Sequence, residues 1–201
     1  MMKVLAFGGL VVLAMCTAAC GDKAPAKGHV FKIAVIPKGT AHEFWKSVEE
    51  GARKADAEFA DLEIVWKGPS GEGDAAAQIS LVESFLADGV DGVCLAPLDA
   101  RALEKPVRAA AAQKIPVVIF DSGLASADAP IASFVATDNY KGGEMAGEEL
   151  ASALKGEGKV LLLRYVLGSE STEQREKGFL DAIAKHPKLV VVSSEDRKSV
   201  V

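Results

Sequence analysis

Four stretches of this 201-residue chain carry side chains that can recognise a polar molecule, and each follows an apolar run. The first is Pro37-Lys38-Gly39-Thr40-Ala41-His42-Glu43-Phe44-Trp45, which sets a cation and a histidine beside two adjacent aromatic rings. The others are Asp121-Ser122-Gly123, Thr137-Asp138-Asn139, and the segment from Gly168 to Arg175. Carboxylates, amides, hydroxyls, flat rings and one guanidinium are groups for hydrogen bonding and stacking. Bond-breaking chemistry has no matching pattern: there is no Ser, His and Asp in triad order and no G-x-S-x-G elbow. His29, His42 and His186 lie too far apart to hold a metal from one helical face. Gly68-Pro69-Ser70-Gly71-Glu72-Gly73 lacks the Lys and hydroxyl of a phosphate loop and reads as a turn. No cofactor is implied.

The elements that must position these groups follow from hydrophobic periodicity. Apolar, often β-branched runs occur at Phe31 to Ile36, Leu62 to Trp66, Gly92 to Leu95, Val117 to Phe120, Ser133 to Ala136, Val160 to Tyr165 and Leu189 to Val192. Most are apolar at successive positions, as in parallel strands covered on both faces. Between them Phe44, Trp45, Val48, Ala52, Ala55 and Phe59 recur at helical spacing, followed by Ile79, Val82, Phe85 and Leu86. Leu103, Val107, Ala110 and Ala111 mark a third helix with Pro106 in its first turn. Lys141 to Leu154 and Thr172 to Lys185 give two more, the last capped by Ser171 or Thr172. Alternation of this kind predicts an α/β fold, and ligands of open α/β sheets bind beyond the carboxyl ends of the strands. The polar stretches fall there.

Composition narrows the field. The chain is 49% hydrophobic and 25% charged, which excludes disorder and a multi-span membrane protein. A net charge of -5 offers no footprint for nucleic acid. Residues 1–19 read as an export signal: Met1-Met2-Lys3, an apolar run from Val4 to Met15 too short to span a bilayer, then small residues. Thr17-Ala18-Ala19-Cys20 resembles the lipobox of bacterial lipoproteins, which makes Cys20 the expected lipid attachment site; the plainer alternative is an ordinary cleavage site. Residues 20–29 form a polar tether. Only Cys94 then remains in the body, so no intramolecular disulfide is expected, and its apolar neighbours predict a buried, unreactive thiol.

Four pieces in register resemble the periplasmic sugar-binding proteins of the ribose-binding type, the solute receptors of ABC importers. They are IAVIPKGTAHEFWKSVEEGARKA (Ile33 to Ala55), PVVIFDS (Pro116 to Ser122), VATDNYKGGEMAGEEL (Val135 to Leu150) and STEQREKGFLDAI (Ser171 to Ile183). The resemblance implies two Rossmann-like lobes with parallel sheets that close on a sugar. It divides the chain into an N-terminal lobe over 30–136 and a partial C-terminal lobe over 137–195. Phe44 and Trp45 match the aromatic pair that packs on the sugar faces. Asp121 matches the carboxylate that accepts from sugar hydroxyls, and Arg175 the arginine of the second lobe. Lys38 and His42 take turn positions near the ligand, and Asn139 lies at the first hinge strand. Ser122 stands where ribose receptors carry an arginine and His42 replaces an amide, so ribose itself is not implied.

Each residue also has a plainer reading: Trp45 as core packing, Asp121 as a turn or cap residue, Arg175 as a surface partner of Glu170 or Glu173. The expected protein is a monomeric, lipid-anchored receptor in the periplasm or cell envelope that hands a monosaccharide or small polyol to an ABC permease, without catalysis. A sensory receptor signalling to a histidine kinase or chemoreceptor is the alternative. The ligand core of a lactose-repressor-family regulator is disfavoured by the export signal, and an enzyme by the missing catalytic patterns. The crossings of such a receptor predict a second lobe that is incomplete here, as in a C-terminally truncated chain. The final residues 196–201 read as a non-native tail, because one set of codons for them spells a sequencing-adapter stretch.

Overall fold

A computed structural model of the protein describes residues 28–196. The expected export signal, Cys20, most of the expected tether and the expected tail beyond Asp196 lie outside the described residues. His29, in the expected tether, is held by the domain, its Nε2 2.7 Å from Asp91 Oδ1.

The β-branched runs form strands where they were expected. In chain order these are β1 (Phe31–Ile36), α1 (Glu43–Glu58), β2 (Leu62–Trp66), α2 (Ala75–Ala87), β3 (Gly92–Leu95), α3 (Glu104–Ala112), β4 (Val117–Phe120) and β5 (Ser133–Val135). They continue with α4 (Asn139–Ala153), β6 (Glu157–Arg164), α5 (Glu170–Ile183) and β7 (Lys188–Asp196). The first five strands make a parallel sheet in the order β2-β1-β3-β4-β5, and β6 pairs with β7 in a second parallel sheet. This is the α/β architecture that alternating short strands and crossover helices require.

Register explains the larger core. Ala34 pairs with Val93, and Val93 with Val117; Ile36 pairs with Leu95, and Leu95 with Ile119. Because side chains alternate along a strand, these six point to one face. They are buried there with Val82, Phe85 and Leu86 of α2 and Val107 and Ala110 of α3. The opposite face carries Val35, Cys94 and Phe120, and α1 lies on it through Trp45, whose ring meets Phe120 at 6.3 Å. That face is covered less deeply, so Cys94 is half-buried rather than sealed as its apolar neighbours suggested. Burial still pushes its thiol above the ordinary value. We expect Cys94 to react with a disulfide reagent at pH 8 much more slowly in the native chain than in urea, because the thiolate is the nucleophile. Equal rates would contradict this placement.

One side chain braces the loops beyond the strands. Gln78 is fully buried on α2. Its amide donates to the carbonyls of Pro37 and Ala96 at 3.0 and 2.8 Å and accepts from Leu98 N–H at 2.8 Å. The carboxyl ends of β1 and β3 are thereby locked together, with no buried polar group left unpaired on that residue.

The second sheet packs its helices by close approach. Gly143 and Gly147 of α4 face Gly178 and Ala182 of α5, and a Cβ built on Gly147 would lie 2.6 Å from the Ala182 Cβ. Ala151, Val160, Ile183 and Leu189 complete a small core there. Leu161, Leu163, Val190 and Val192 on β6 and β7 remain exposed.

Two helix starts differ from expectation. The helix expected from Lys141 begins at Asn139, because the Asp138 carboxylate accepts from Lys141 N–H at 2.9 Å and caps it earlier. Asn139 therefore opens α4 instead of lying in a hinge strand. The expected cap of α5, Ser171 or Thr172, is instead Ser169. Thr172 Oγ1 donates back to the Ser169 carbonyl at 2.9 Å, and the Ser169 and Ser171 hydroxyls are occupied by Lys38.

Candidate functional site

The loop after β1 and the N-terminus of α1 form one wall of a cleft. His42 is the N-cap of α1, and its Nδ1 accepts from Phe44 N–H at 3.1 Å. The cap sets the two aromatic rings that follow. Trp45 is buried and Phe44 is 49% exposed, the rings meeting edge to face at 4.8 Å. Trp45 thus has both of its anticipated characters, packing on the sheet and lining the cleft.

A polar strut joins the two sheets. The Lys38 ammonium, with its side chain only 6% exposed, lies 3.0 Å from Asp121 Oδ2. It also donates to Ser169 Oγ at 3.0 Å and Ser171 Oγ at 3.1 Å. All three N–H bonds of the ammonium are engaged, so the buried charge is fully partnered. Asp121 sits just beyond β4 with φ +64°, a left-handed conformation that Asp tolerates better than most residues. Oδ2 serves Lys38, and Oδ1 has no protein partner among the described residues.

Beside this pair Ser122 Oγ accepts from Ser171 N–H at 2.9 Å, and Glu170 Oε2 accepts from Gly123 N–H at 2.9 Å. The start of α5 is fastened to the end of β4. Behind it Ala100 N–H donates to the Gly168 carbonyl at 2.9 Å. Gly168 has φ +86°, and a Cβ there would lie 2.5 Å from Asp99 Oδ2. The turn into α5 therefore needs glycine on both counts.

Arg175 reaches the cleft from α5. It is exposed and has no hydrogen-bond or ion-pair partner among the described residues. The anticipated surface pairing with Glu170 or Glu173 does not form, because Glu170 holds Gly123 N–H and Glu173 holds Gly168 N–H at 2.9 Å. The cleft is about 700 Å³. Its lining includes Lys38, His42, Phe44, Trp45, Asp121 and Arg175, which come from both sheets.

Ser122 and Asn139 lie elsewhere. Ser122 is fully buried and holds the start of α5, so it faces the protein rather than the cleft. Asn139 is buried at the start of α4, and its Oδ1 has no partner among the described residues. Glu72, Tyr165 and Glu176 also line the cleft. Glu176 is neutralised by Arg164 at 2.6 Å. Sequence reading missed Glu72, although it follows β2 just as Lys38 follows β1; the strand-end rule would have found it had its loop not been set aside as a turn. Among the described residues no three His, Cys, Asp or Glu side chains gather as metal ligands.

Two parallel sheets meet around an aromatic and charged cleft beyond the carboxyl ends of their strands, the place where open α/β sheets take ligands. The chain belongs to the periplasmic binding protein family, whose domain model matches residues 33–200. Within that family it is similar to ribose-binding and other sugar-binding proteins. It is 36% identical over 157 residues to the D-ribose/D-allose-binding protein of Pseudomonas aeruginosa, covering 76% of this chain and 49% of that one. A solute-binding protein of an ABC transporter from Agrobacterium vitis, solved with bound D-fucose, superposes with TM-score 0.80 at 38% identity, over 84% of this chain and 58% of that one. The fructose-binding periplasmic domain of a hybrid two-component system superposes with TM-score 0.77 at 25% identity, over 83% and 54%. The chain spans about half the length of the curated relative it matches. Members of the family are periplasmic substrate-binding proteins rather than enzymes.

Proposed function

We propose that this chain is part of an extracytoplasmic receptor that binds a monosaccharide or related small polyol between its two lobes, residues 30–136 and 137–195. The observation that carries this is the pairing of free groups across the cleft. Asp121 Oδ1 on one side and the Arg175 guanidinium on the other are unpartnered among the described residues, with the exposed Phe44 ring beside them. A sugar offers hydroxyls to both charges and an apolar ring face to the aromatic. Lys38, by contrast, acts through Asp121 and α5, since its N–H bonds are taken.

Binding favours closure only by the ligand's differential affinity for the closed form. In this reading the monomeric receptor is tethered by lipid on Cys20 and presents its closed form to an ABC permease. The likeness to a periplasmic domain of a two-component system supports a second reading, in which the closed form signals to a kinase.

A thermal-shift screen of the leader-free chain against sugars and polyols tests the ligand class. A sugar at 100 times its dissociation constant should add about 2.7 kcal/mol of stability. If no sugar raised the midpoint while a nucleotide did, the receptor reading would fall. Arg175→Ala should weaken sugar binding about tenfold or more and leave unfolding unchanged, because the side chain has nothing to hold in the free protein. Calorimetry beside a urea titration separates the two effects.

A further inference from the structure

The Gly-rich loop between β2 and α2 carries one carboxylate into the cleft, and both of its oxygens are in use. Glu72 Oε1 accepts from Trp45 Nε1–H at 2.7 Å, and Glu72 Oε2 accepts from the Tyr165 hydroxyl at 3.1 Å. Trp45 belongs to α1, which packs on the five-stranded sheet; Tyr165 follows β6 of the two-stranded sheet. Both of these donors are neutral. The charge of Glu72 therefore strengthens two neutral donors rather than an ion pair.

The loop is shaped to hold this carboxylate. A Cβ on Gly39 would lie 3.1 Å from Glu72 Cγ, and one on Gly68 would lie 2.7 Å from Pro37 Cγ. The loops after β1 and β2 are thus packed face to face, and Glu72 is aimed rather than dangling.

We propose that Glu72 is a positioning residue and a clasp: it fixes the indole edge of the aromatic wall and ties that wall to Tyr165 across the cleft, so that it helps to set how far the lobes close. This rests on the cleft being the ligand site. The Tyr165 bond exists only with the lobes together, whereas the Trp45 bond is internal to one lobe. Removing the tyrosine hydroxyl should therefore weaken closure and leave the indole held, and removing the carboxylate should affect both closure and the ring.

Two measurements without ligand decide the matter. In a Trp66→Phe background, where Trp45 is the remaining tryptophan, Glu72→Ala should make Trp45 fluorescence more accessible to acrylamide, and Tyr165→Phe should not. In urea titrations of Glu72→Ala, Tyr165→Phe and the double variant, the effects should be non-additive by about fivefold in the unfolding equilibrium. Additive effects would overturn the clasp, and unchanged quenching in Glu72→Ala would overturn the positioning role. With D-fucose as the probe, Tyr165→Phe should weaken binding about fivefold through a smaller closed population. Should the unaltered chain bind no sugar, the receptor reading fails while the urea cycle still decides the clasp.

Discussion

Asp121→Ala is expected to destabilise the chain by about 3 kcal/mol, as well as to remove an acceptor from the cleft. The physical reason is Lys38. Its side chain is 6% exposed and that of Asp121 18%, so the alanine leaves a desolvated ammonium held by two neutral serine hydroxyls. Breaking a buried pair from one side costs far more than removing both partners. Lys38→Met should be destabilising for the converse reason, and Lys38→Met with Asp121→Asn should be more stable than either Asp121→Ala or Lys38→Met alone. Urea titrations of the set check this. If Asp121→Ala unfolded at the same urea concentration as the unaltered chain, the strut between β4 and α5 would contribute nothing.

This outcome refines what a mutation at Asp121 can report. As a ligand group alone, the aspartate should be removable without loss of stability. As the counter-ion of a buried lysine, it should affect binding and folding together. Arg175→Ala is the cleaner probe of the cleft.

The second large effect lies between α4 and α5. Gly143→Ala should destabilise by about 3 kcal/mol or more, since overpacking against backbone cannot be relieved by a change of rotamer. A Cβ at Gly143 would run into the Arg175 carbonyl oxygen, and one at Gly178 into the Tyr140 carbonyl oxygen. Gly178→Ala should behave alike. Gly142→Ala, one residue away on the same helix, should instead stabilise by about 0.5 to 1 kcal/mol, because its Cβ would meet nothing within 4 Å and alanine is the better helix former. Thermal melts of the three variants give the signs directly. A stabilised Gly143→Ala would mean that α4 and α5 are not seated this closely. Because α5 also carries Arg175 and begins at the Lys38 strut, loosening this contact should weaken ligand binding as well.

Much of the fold was legible because its signals are local. A buried parallel strand is a short run of apolar residues, and Phe31–Ile36, Leu62–Trp66, Gly92–Leu95 and Val117–Phe120 are strands over those residues. β6 and β7 extend past their apolar runs into charged ends, where Lys188 and Glu157 face each other at 3.1 Å, a pairing visible only once the strands are side by side. The site was legible in part for a topological reason: the carboxyl ends of parallel strands converge, so Lys38, His42, Phe44, Trp45, Asp121 and Arg175 all line one cleft. Ser122 and Asn139 also follow strands, but hydrogen bonding and capping turned them into the protein.

By itself, then, the sequence determined the α/β class, the run of strands and helices, and the neighbourhood in which polar groups would meet, because periodicity and strand-end position are written in consecutive residues. It took the packing of distant elements to engage Lys38 fully with Asp121, Ser169 and Ser171, and to bring Glu72 to Trp45 and Tyr165. That packing alone distinguishes Gly142 from Gly143, identical neighbours on one helix with opposite expected responses to the same methyl group. Those outcomes depend on the distance between elements far apart in the chain, and packing, not local propensity, sets that distance.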